Sequence, residues 1–233
     1  MKIGIIGAME IEVSTLKEKM SIKKTVTKAG MDFCEGTLCG ADVVVVMCGV
    51  GKVSAAMCVQ ILADLFEVTH VINTGVAGSL NAKLDIGDIL VSVDAIQHDM
   101  DVTALGYTPG QIPGIPVLSF AADEAMRKVA VEQCKRVNPD IAVVEGRVVS
   151  GDAFISGAEK KDQLISVFQG DCAEMEGASI AQAAYLNHLP YLVLRAISDK
   201  ADDSAHEDYP SFEKKAAEHC AKLVMAFAEN FHA

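Results

Sequence analysis

The stretch CAEMEG, residues 172–177, contains two carboxylates that are candidates for chemistry. Glu174 and Glu176 lie between a charged helical pattern and a run of small residues, so the sequence predicts that both point towards the interior. An unpaired carboxylate is unstable in a dry interior, where a cation, several hydrogen-bond donors or a ligand with hydroxyl groups must stabilise it. The two glutamates therefore indicate a binding site.

Two further carboxylates follow predicted strands. Glu12 lies in the first turn after the first strand, and Asp199 lies in ISDK after the last. Each also has a simpler explanation, because a Glu near a helix N-terminus stabilises the helix and an Asp after a strand often caps a turn. If the four carboxylates share one cleft, they shift one another's pKa values, and such groups can transfer protons.

Three other patterns bear on phosphate and metal binding. GVGK at 49–52 lacks the Gly and the Ser or Thr that a Walker loop needs, so we interpret it as a tight strand-to-helix turn. TGVAGS at 74–79 is either an anion-binding nest or a turn packed beneath a ligand, and its spacing leaves both open. The six His show no paired spacing, and only His98 is directly followed by an aspartate, so neither a metal nor another cofactor is expected.

A sheet is needed to bring these side chains together. Apolar runs rich in β-branched residues predict strands at 2–7, 42–48, 68–74, 88–93, 142–149 and 191–197. Most are apolar at consecutive positions, which is typical of parallel strands covered on both faces. Helical patterns lie at 53–66, 123–136, 159–168, 178–187 and 212–231, and a hairpin at about 25–39 makes the sheet mixed. In such α/β sheets ligands bind beyond the strand ends.

The composition favours a small-molecule ligand. With 233 residues, 51% hydrophobic and 22% charged, we expect one domain, residues 1–233. A net charge of −12 and only four Arg exclude a nucleic-acid or anionic-membrane surface. Seven Cys without a CxxC motif favour reduced thiols and a cytoplasmic location. The N-terminal apolar run meets Glu10 too early for a signal peptide, and no run is long enough to span a membrane.

Six segments together resemble one family. In chain order they are MKIGIIGAMEIEV, NTGVAGSL, HDMDVTALGYTPGQIPG, SGDAFI, AEMEGASIA and LRAISDKAD, and they resemble the 5′-methylthioadenosine/S-adenosylhomocysteine nucleosidases of the nucleoside phosphorylase superfamily. The resemblance implies a three-layer α/β/α sandwich with a central mixed, twisted β-sheet, a homodimer, and hydrolysis of the N-glycosidic bond of 5′-thio-substituted adenosines.

The resemblance also implies roles for residues. Asp199 would protonate N7 of the leaving adenine, and Glu12 would deprotonate the attacking water. The ribose would be bound by Glu176, with Met175 beneath it, Glu174 beside it and Arg195 orienting the carboxylates and the water. Phe154 would stack on the purine, and backbone groups of Ile155 would bind its edge. Val76 would lie near the water or the sugar, and Gly78 would also contact the substrate. The 5′-tail pocket would contain Met9, Val50, Val102 and Tyr209, with Leu105 and Pro113 from a partner subunit.

Some alternatives stay open at this level. Val76 stands where many family members have Ser, and Leu105 and Tyr209 stand where Phe is common. The preferred nucleoside is therefore open among methylthioadenosine, adenosylhomocysteine, 5′-deoxyadenosine and a modified futalosine. A purine nucleoside phosphorylase is disfavoured because the early loops that would bind phosphate contain Glu10 and Glu12 but no Arg. A non-catalytic adenosine-binding protein would have lost the acid or the base, and both are present.

Overall fold

Ten strands form one sheet in the computed structural model, which describes residues 1–232. The strands are β1 (Lys2–Gly7), β2 (Ser21–Lys28), β3 (Met31–Leu38), β4 (Ala41–Met47), β5 (His70–Ser79), β6 (Ile89–Gln97), β7 (Phe120–Ala121), β8 (Val143–Ser150), β9 (Cys172–Glu174) and β10 (Tyr191–Asp199). The helices are α1 (Glu10–Lys19), α2 (Lys52–Phe66), α3 (Glu124–Val137), α4 (Ala158–Phe168), α5 (Gly177–Leu186) and α6 (Ala205–Asn230), with a 3₁₀ helix at Thr103–Leu105.

The centre of the sheet is parallel. Strand β1 pairs with β4 and β5, and β5 pairs with β10. At one edge, the hairpin of β2 and β3 adds two antiparallel strands next to β4. At the other end β10, β6, β8 and β9 pair in turn, and β9 pairs back onto β5, so this part of the sheet closes on itself. The predicted mixed sheet is confirmed, and its closure requires a strong twist.

Helices cover both faces of the sheet. Helix α6 packs on β5 and β10 and contacts α1 and α3, whereas α2 and α5 pack together on the opposite face. The predicted three-layer α/β/α sandwich is therefore confirmed. One hydrophobic core cluster contains buried side chains from Ile3 to Phe231, which supports the single domain that we propose. None of the helices described is long and apolar enough to cross a membrane.

Two local predictions need correction. The segment TGVAGS is neither a nest nor a turn, because it is the second half of β5. It stays extended since Gly75 to Gly78 pair with β10 and Gly78 and Ser79 pair with β9. The last helix begins at Ala205, well before the predicted residue 212, and it contains Pro210 in its first half.

Candidate active site

A cavity of about 470 Å³ lies at the carboxyl ends of β5, β9 and β10, beside the beginnings of α1 and α6. Most of the residues predicted for the site line it: Met9, Glu12, Val50, Val76, Gly78, Phe154, Glu174, Met175, Glu176, Arg195, Asp199 and Tyr209. The strand ends thus bring the four carboxylates chosen from the sequence into one cavity.

Arg195, near the middle of β10, organises three of these carboxylates. Its side chain is 1% exposed; Nη2 donates to Glu174 and lies 3.6 Å from Glu176 Oε2, while Nη1 lies 3.9 Å from Glu12 Oε1. Burial lowers the pKa of Arg195, but the carboxylates, Glu174 first, raise it, and the net pKa lies above its usual range. The guanidinium therefore stays charged, and it compensates the negative charge of the cavity.

Glu174 already has protein donors for both carboxylate oxygens. Besides Arg195, the hydroxyl of Ser150 donates to Oε1, and the amides of Glu176 and Gly177 donate to Oε2 at 3.1 and 2.8 Å. These amides lie at the N-terminus of α5, where a carboxylate is favoured. Glu174 lines the cavity, but its burial is explained without a ligand.

Glu176 retains acceptor capacity on the cavity side. Its side chain is buried, its Oε1 accepts from the amide of Gly51 at 2.8 Å, and Oε2 has only the longer contact with Arg195. Burial first, and the charge of Glu174 second, raise the pKa of Glu176 to about 7. Of the two glutamates in CAEMEG, Glu176 is therefore the one that can accept hydrogen bonds from a ligand.

Glu12 bridges α1 and β5. Its Oε2 accepts from the amides of Ala8 and Met9 at 2.7 and 3.0 Å, and its Oε1 accepts from the amide of Val76 at 3.0 Å. Burial raises the pKa of Glu12, although Arg195 and the three amides lower it. The side chain thus caps its own helix and also presents a carboxylate with raised proton affinity to the cavity.

Asp199 ends β10 on another wall of the cavity. Its Oδ2 accepts from the hydroxyl of Ser198 and its Oδ1 from the amide of Ala201, both at 2.8 Å. Burial raises the pKa of Asp199, and these donors only partly offset the effect. A Cβ atom at Gly78 would lie 2.8 Å from Asp199 Oδ1, so a glycine is needed there for the carboxylate to pack against β5.

An apolar rim surrounds one end of the cavity. The rings of Phe154 and Tyr209 meet edge to face with centroids 5.7 Å apart, and the Tyr209 hydroxyl donates to Met9 Sδ at 3.3 Å. Val50 completes this rim and is 55% exposed. The exposure of Val50 leaves the rim open on that side.

Four predicted residues do not line the cavity. Ile155 is buried beside it, in a core cluster with Leu80 and Ile96. The placement of Val102 in the pocket of its own chain is corrected, because Val102 lies just before the 3₁₀ helix, in a loop outside the cavity. Leu105 in the same helix is 76% exposed, and Pro113 is exposed too.

Comparisons with known proteins identify the family of this chain. Residues 2–229 match the family model of the Phosphorylase superfamily. The sequence is 40% identical to a 5′-methylthioadenosine/S-adenosylhomocysteine nucleosidase from Geobacillus sp. (strain WCH70). The match spans 231 residues and covers 99% of each chain. The chain belongs to the 5′-methylthioadenosine/S-adenosylhomocysteine nucleosidase family. The resemblance found in the sequence motifs is thereby confirmed.

Solved structures extend the similarity to the nucleosidase fold. The nucleosidase of Neisseria meningitidis, in complex with methylthio-immucillin-A, superposes with a TM-score of 0.94 at 36% identity and 99% coverage of both chains. A futalosine hydrolase from Helicobacter pylori strain 26695 superposes with a TM-score of 0.93 at 32% identity, covering 99% of this chain and 98% of that one. The fold is therefore common to both activities and does not separate them.

Among the residues that sequence reasoning missed, three position the charged groups of this nucleosidase site. Asn73 accepts from Arg195 Nη2 at 2.6 Å and donates to the carbonyl of Ile6 at 3.0 Å, so it ties the guanidinium to β1. Gly75 has no room for a Cβ atom because Glu12 and Arg195 fill the space. The hydroxyl of Ser150 donates a hydrogen bond to Glu174 and so holds its carboxylate in place. A buried Asn in the apolar run of β5 was the one available signal, since the other two roles depend on distant side chains.

Proposed function

We propose that the protein hydrolyses the N-glycosidic bond of 5′-thio-substituted adenosines, such as methylthioadenosine and S-adenosylhomocysteine, and releases adenine and the thioribose. The observation that carries the proposal is one cavity in which Glu12, Glu176 and Asp199 are all buried and all have raised pKa values. Membership of the nucleosidase family gives the substrate class.

The roles follow from the charges that develop in the reaction. Breaking the bond leaves positive charge on the sugar, and a fixed carboxylate at Glu176 stabilises that charge while accepting hydrogen bonds from the ribose hydroxyls. Adenine leaves as a neutral base if Asp199 supplies a proton to N7. Glu12 takes the proton of the attacking water. Phe154 stacks on the purine, the backbone of Ile155 binds its edge, and Gly78 lies beside it. Met175 packs under the ribose, and Met9, Val50 and Tyr209 surround the 5′-tail.

Phosphate is a poor nucleophile for this cavity. Among the described residues that line it, Arg195 is the only Lys or Arg, and its Nη2 already donates to Glu174 and Asn73. Phosphate would also meet the negative charges of Glu12 and Glu176. These contacts support water as the nucleophile over phosphate.

An adenine-release assay tests the proposal. We expect adenine from methylthioadenosine at the same rate with and without phosphate, and a panel of adenosylhomocysteine, 5′-deoxyadenosine and aminodeoxyfutalosine ranks the 5′-substituents. Dependence on phosphate would identify a phosphorylase. A strong preference for aminodeoxyfutalosine would identify the activity named for the Helicobacter relative.

Replacing Glu176 should lower the activity of the enzyme but raise its stability. We expect Glu176→Gln to lower kcat about 10²-fold and change KM little, because the charge matters most in the transition state. The pKa of Glu176 is about 7 in the folded protein against an ordinary 4.5, so the folded state holds this proton longer than the unfolded chain, and stability falls as the pH rises from about 4.5 to 7. Glu176→Gln should therefore add on the order of 1–3 kcal/mol to the free energy of unfolding at pH 8, and less at pH 5.

Urea unfolding at the two pH values measures the stability change, and a 2′-deoxy substrate tests the contact. If Glu176 binds the 2′-hydroxyl, the losses in kcat/KM from the substitution and from the missing hydroxyl are not additive. Additive losses, or a variant less stable at pH 8 than the wild type, would contradict this placement.

We also propose that a homodimer completes the tail pocket, with Leu105 and Pro113 reaching the cavity of the partner. Leu105 is 76% and Val53 is 78% exposed, and such apolar surface is typical of an interface. Light scattering that gives a monomer at micromolar concentration would contradict the shared pocket.

The free thiols, buried except at Cys39, favour a cytoplasmic enzyme.

A further inference from the structure

The loop that connects β4 to α2 contacts Glu176, and its own position depends on contacts with other parts of the chain. Gly49 and Gly51 have φ angles of 83° and 98°, which few other residues adopt. Helix α2 has no side-chain cap of its own, and its first amides instead meet carboxylates from other parts of the chain. The amide of Gly51 donates to Glu176, and the amide of Lys52 donates to Asp152 Oδ1 at 2.9 Å. The position of this loop is therefore set from outside.

Three charged residues close a ring of contacts around the loop. Lys52 Nζ donates to Asp99 Oδ1 at 2.6 Å and to Gln97 Oε1 at 3.1 Å, and the amide of Asp152 donates to Asp99 Oδ2 at 3.0 Å. Together with the contact between Asp152 and the Lys52 amide, each of the three residues is bound to the other two. Burial raises the pKa of Asp99, but the donors from Lys52 and Asp152 outweigh it, so the pKa lies below its usual range and Asp99 is ionised at neutral pH.

The ring joins the loops that form two cavity walls. One loop carries Val50 and the Gly51 amide, and another carries Asp152 and Phe154. We propose that Lys52, Asp99 and Asp152 form a positioning clamp, which holds the Gly51 amide on Glu176 and the Phe154 loop beside it. None of the three lines the cavity, so they act through Glu176 and not on the substrate. The inference rests on the proposed function for the role of Glu176.

Releasing the clamp should change the titration of Glu176. The Gly51 amide, which donates to Glu176 Oε1 at 2.8 Å, lowers the pKa of Glu176, so the loss of this hydrogen bond raises that pKa further. The other groups that face Glu176 are Glu174, Arg195, Glu12 and the thiol of Cys48, and the substitutions proposed below leave them in place.

Asp99→Ala and Asp152→Ala should lower kcat/KM at pH 7 about tenfold, the size expected when one charge-assisted hydrogen bond is lost. The acid limb of the pH profile should move to higher pH. Asp152→Asn keeps an acceptor for the Lys52 amide and should stay close to the wild type, since Asn and Asp cap helices about equally. The same solutions serve for NMR of the Gly51 amide, whose resonance should follow the ionisation of Glu176 in the wild type and respond less in the two Ala variants.

A matched control lies at the opposite end of the sheet. Lys2 contacts Glu35 at 2.8 Å with side-chain exposures of 30% and 26%, close to the 20% and 30% of Lys52 and Asp99. Glu35→Gln should leave the Gly51 titration and the pH profile unchanged. If Asp99→Ala and Asp152→Ala behave like Glu35→Gln, the clamp is overturned. If the wild type releases no adenine, the proposed function fails, while the Gly51 resonance still decides the clamp.

Discussion

Asp199→Asn is expected to lower kcat by at least about 10²-fold, because general acid catalysis contributes roughly 10²–10⁴ in rate. Asparagine has the shape of aspartate, and its one oxygen can still accept from the amide of Ala201, while its NH₂ group can donate to the Ser198 hydroxyl, but it has no carboxyl proton to give. Adenine must then leave as an anion. Burial raises the pKa of Asp199, so the wild-type acid holds its proton to higher pH than an exposed aspartate does.

The pH profile gives this prediction a second measurement. In the wild type, activity should fall on the basic side as Asp199 loses its proton, and that limb should be absent from the residual activity of Asp199→Asn. A substrate whose leaving base departs readily as an anion should be affected much less by the substitution than an adenosine. Both results would assign the proton to Asp199 and not to the solvent.

Asp88→Asn provides a matched control. Asp88 is also buried, at 8% exposure, and its carboxylate accepts from the amides of Asp85 and Ala142, but it does not line the cavity. We expect Asp88→Asn to affect stability and leave kcat near the wild-type value. A kcat for Asp199→Asn above about a tenth of wild type would be too large for the loss of a general acid.

The sequence predicts the strands and helices of this protein better than the contacts between residues that are distant along the chain. Strand β1 has the predicted bounds, because a continuous apolar run is a strong signal for a strand buried on both faces. The half of β5 at TGVAGS was missed, since its glycines indicate a turn locally and only pairing with β9 and β10 keeps them extended. Local pattern cannot reveal such a tertiary constraint.

The sequence also could not predict which of the two glutamates of CAEMEG, Glu174 or Glu176, keeps an oxygen free for a ligand. Both have the same type, and both were expected near the ligand. Glu174 accepts hydrogen bonds from Arg195 and Ser150, which lie 21 and 24 residues away along the chain, whereas Glu176 accepts from the amide of Gly51, 125 residues away. Which oxygen stays free depends on where those donors lie in space, and no spacing rule describes that.

Glu12→Gln is expected to abolish most of the hydrolysis while the nucleoside still binds. The amide cannot accept the proton of the attacking water, so kcat should fall by about 10²-fold or more. Calorimetric titration with a non-hydrolysable adenosine analogue should give a Kd within a few-fold of the wild type, because Glu12 is proposed to act on water and not on the ribose.

The contacts of Glu12 make a structural explanation a serious rival. Its carboxylate accepts from three amides, those of Ala8, Met9 and Val76, and a glutamine can satisfy them with only one oxygen. Its NH₂ group would therefore face an amide donor, and the first turn of α1 could shift. If binding of the analogue and the melting temperature fall together while kcat is retained, Glu12 is a helix cap and another group activates the water.

Glu12→Ala distinguishes the two explanations, because it removes the side chain and leaves space for a small acid. Formate added to Glu12→Ala should restore part of the hydrolysis if the missing function is a proton acceptor. The restored rate should rise with the concentration of formate, which is ionised at neutral pH, and chloride at the same ionic strength should have no effect. Formate cannot rebuild a covalently attached cap that connects α1 to β5, so restored turnover without a restored melting temperature would assign the base to Glu12.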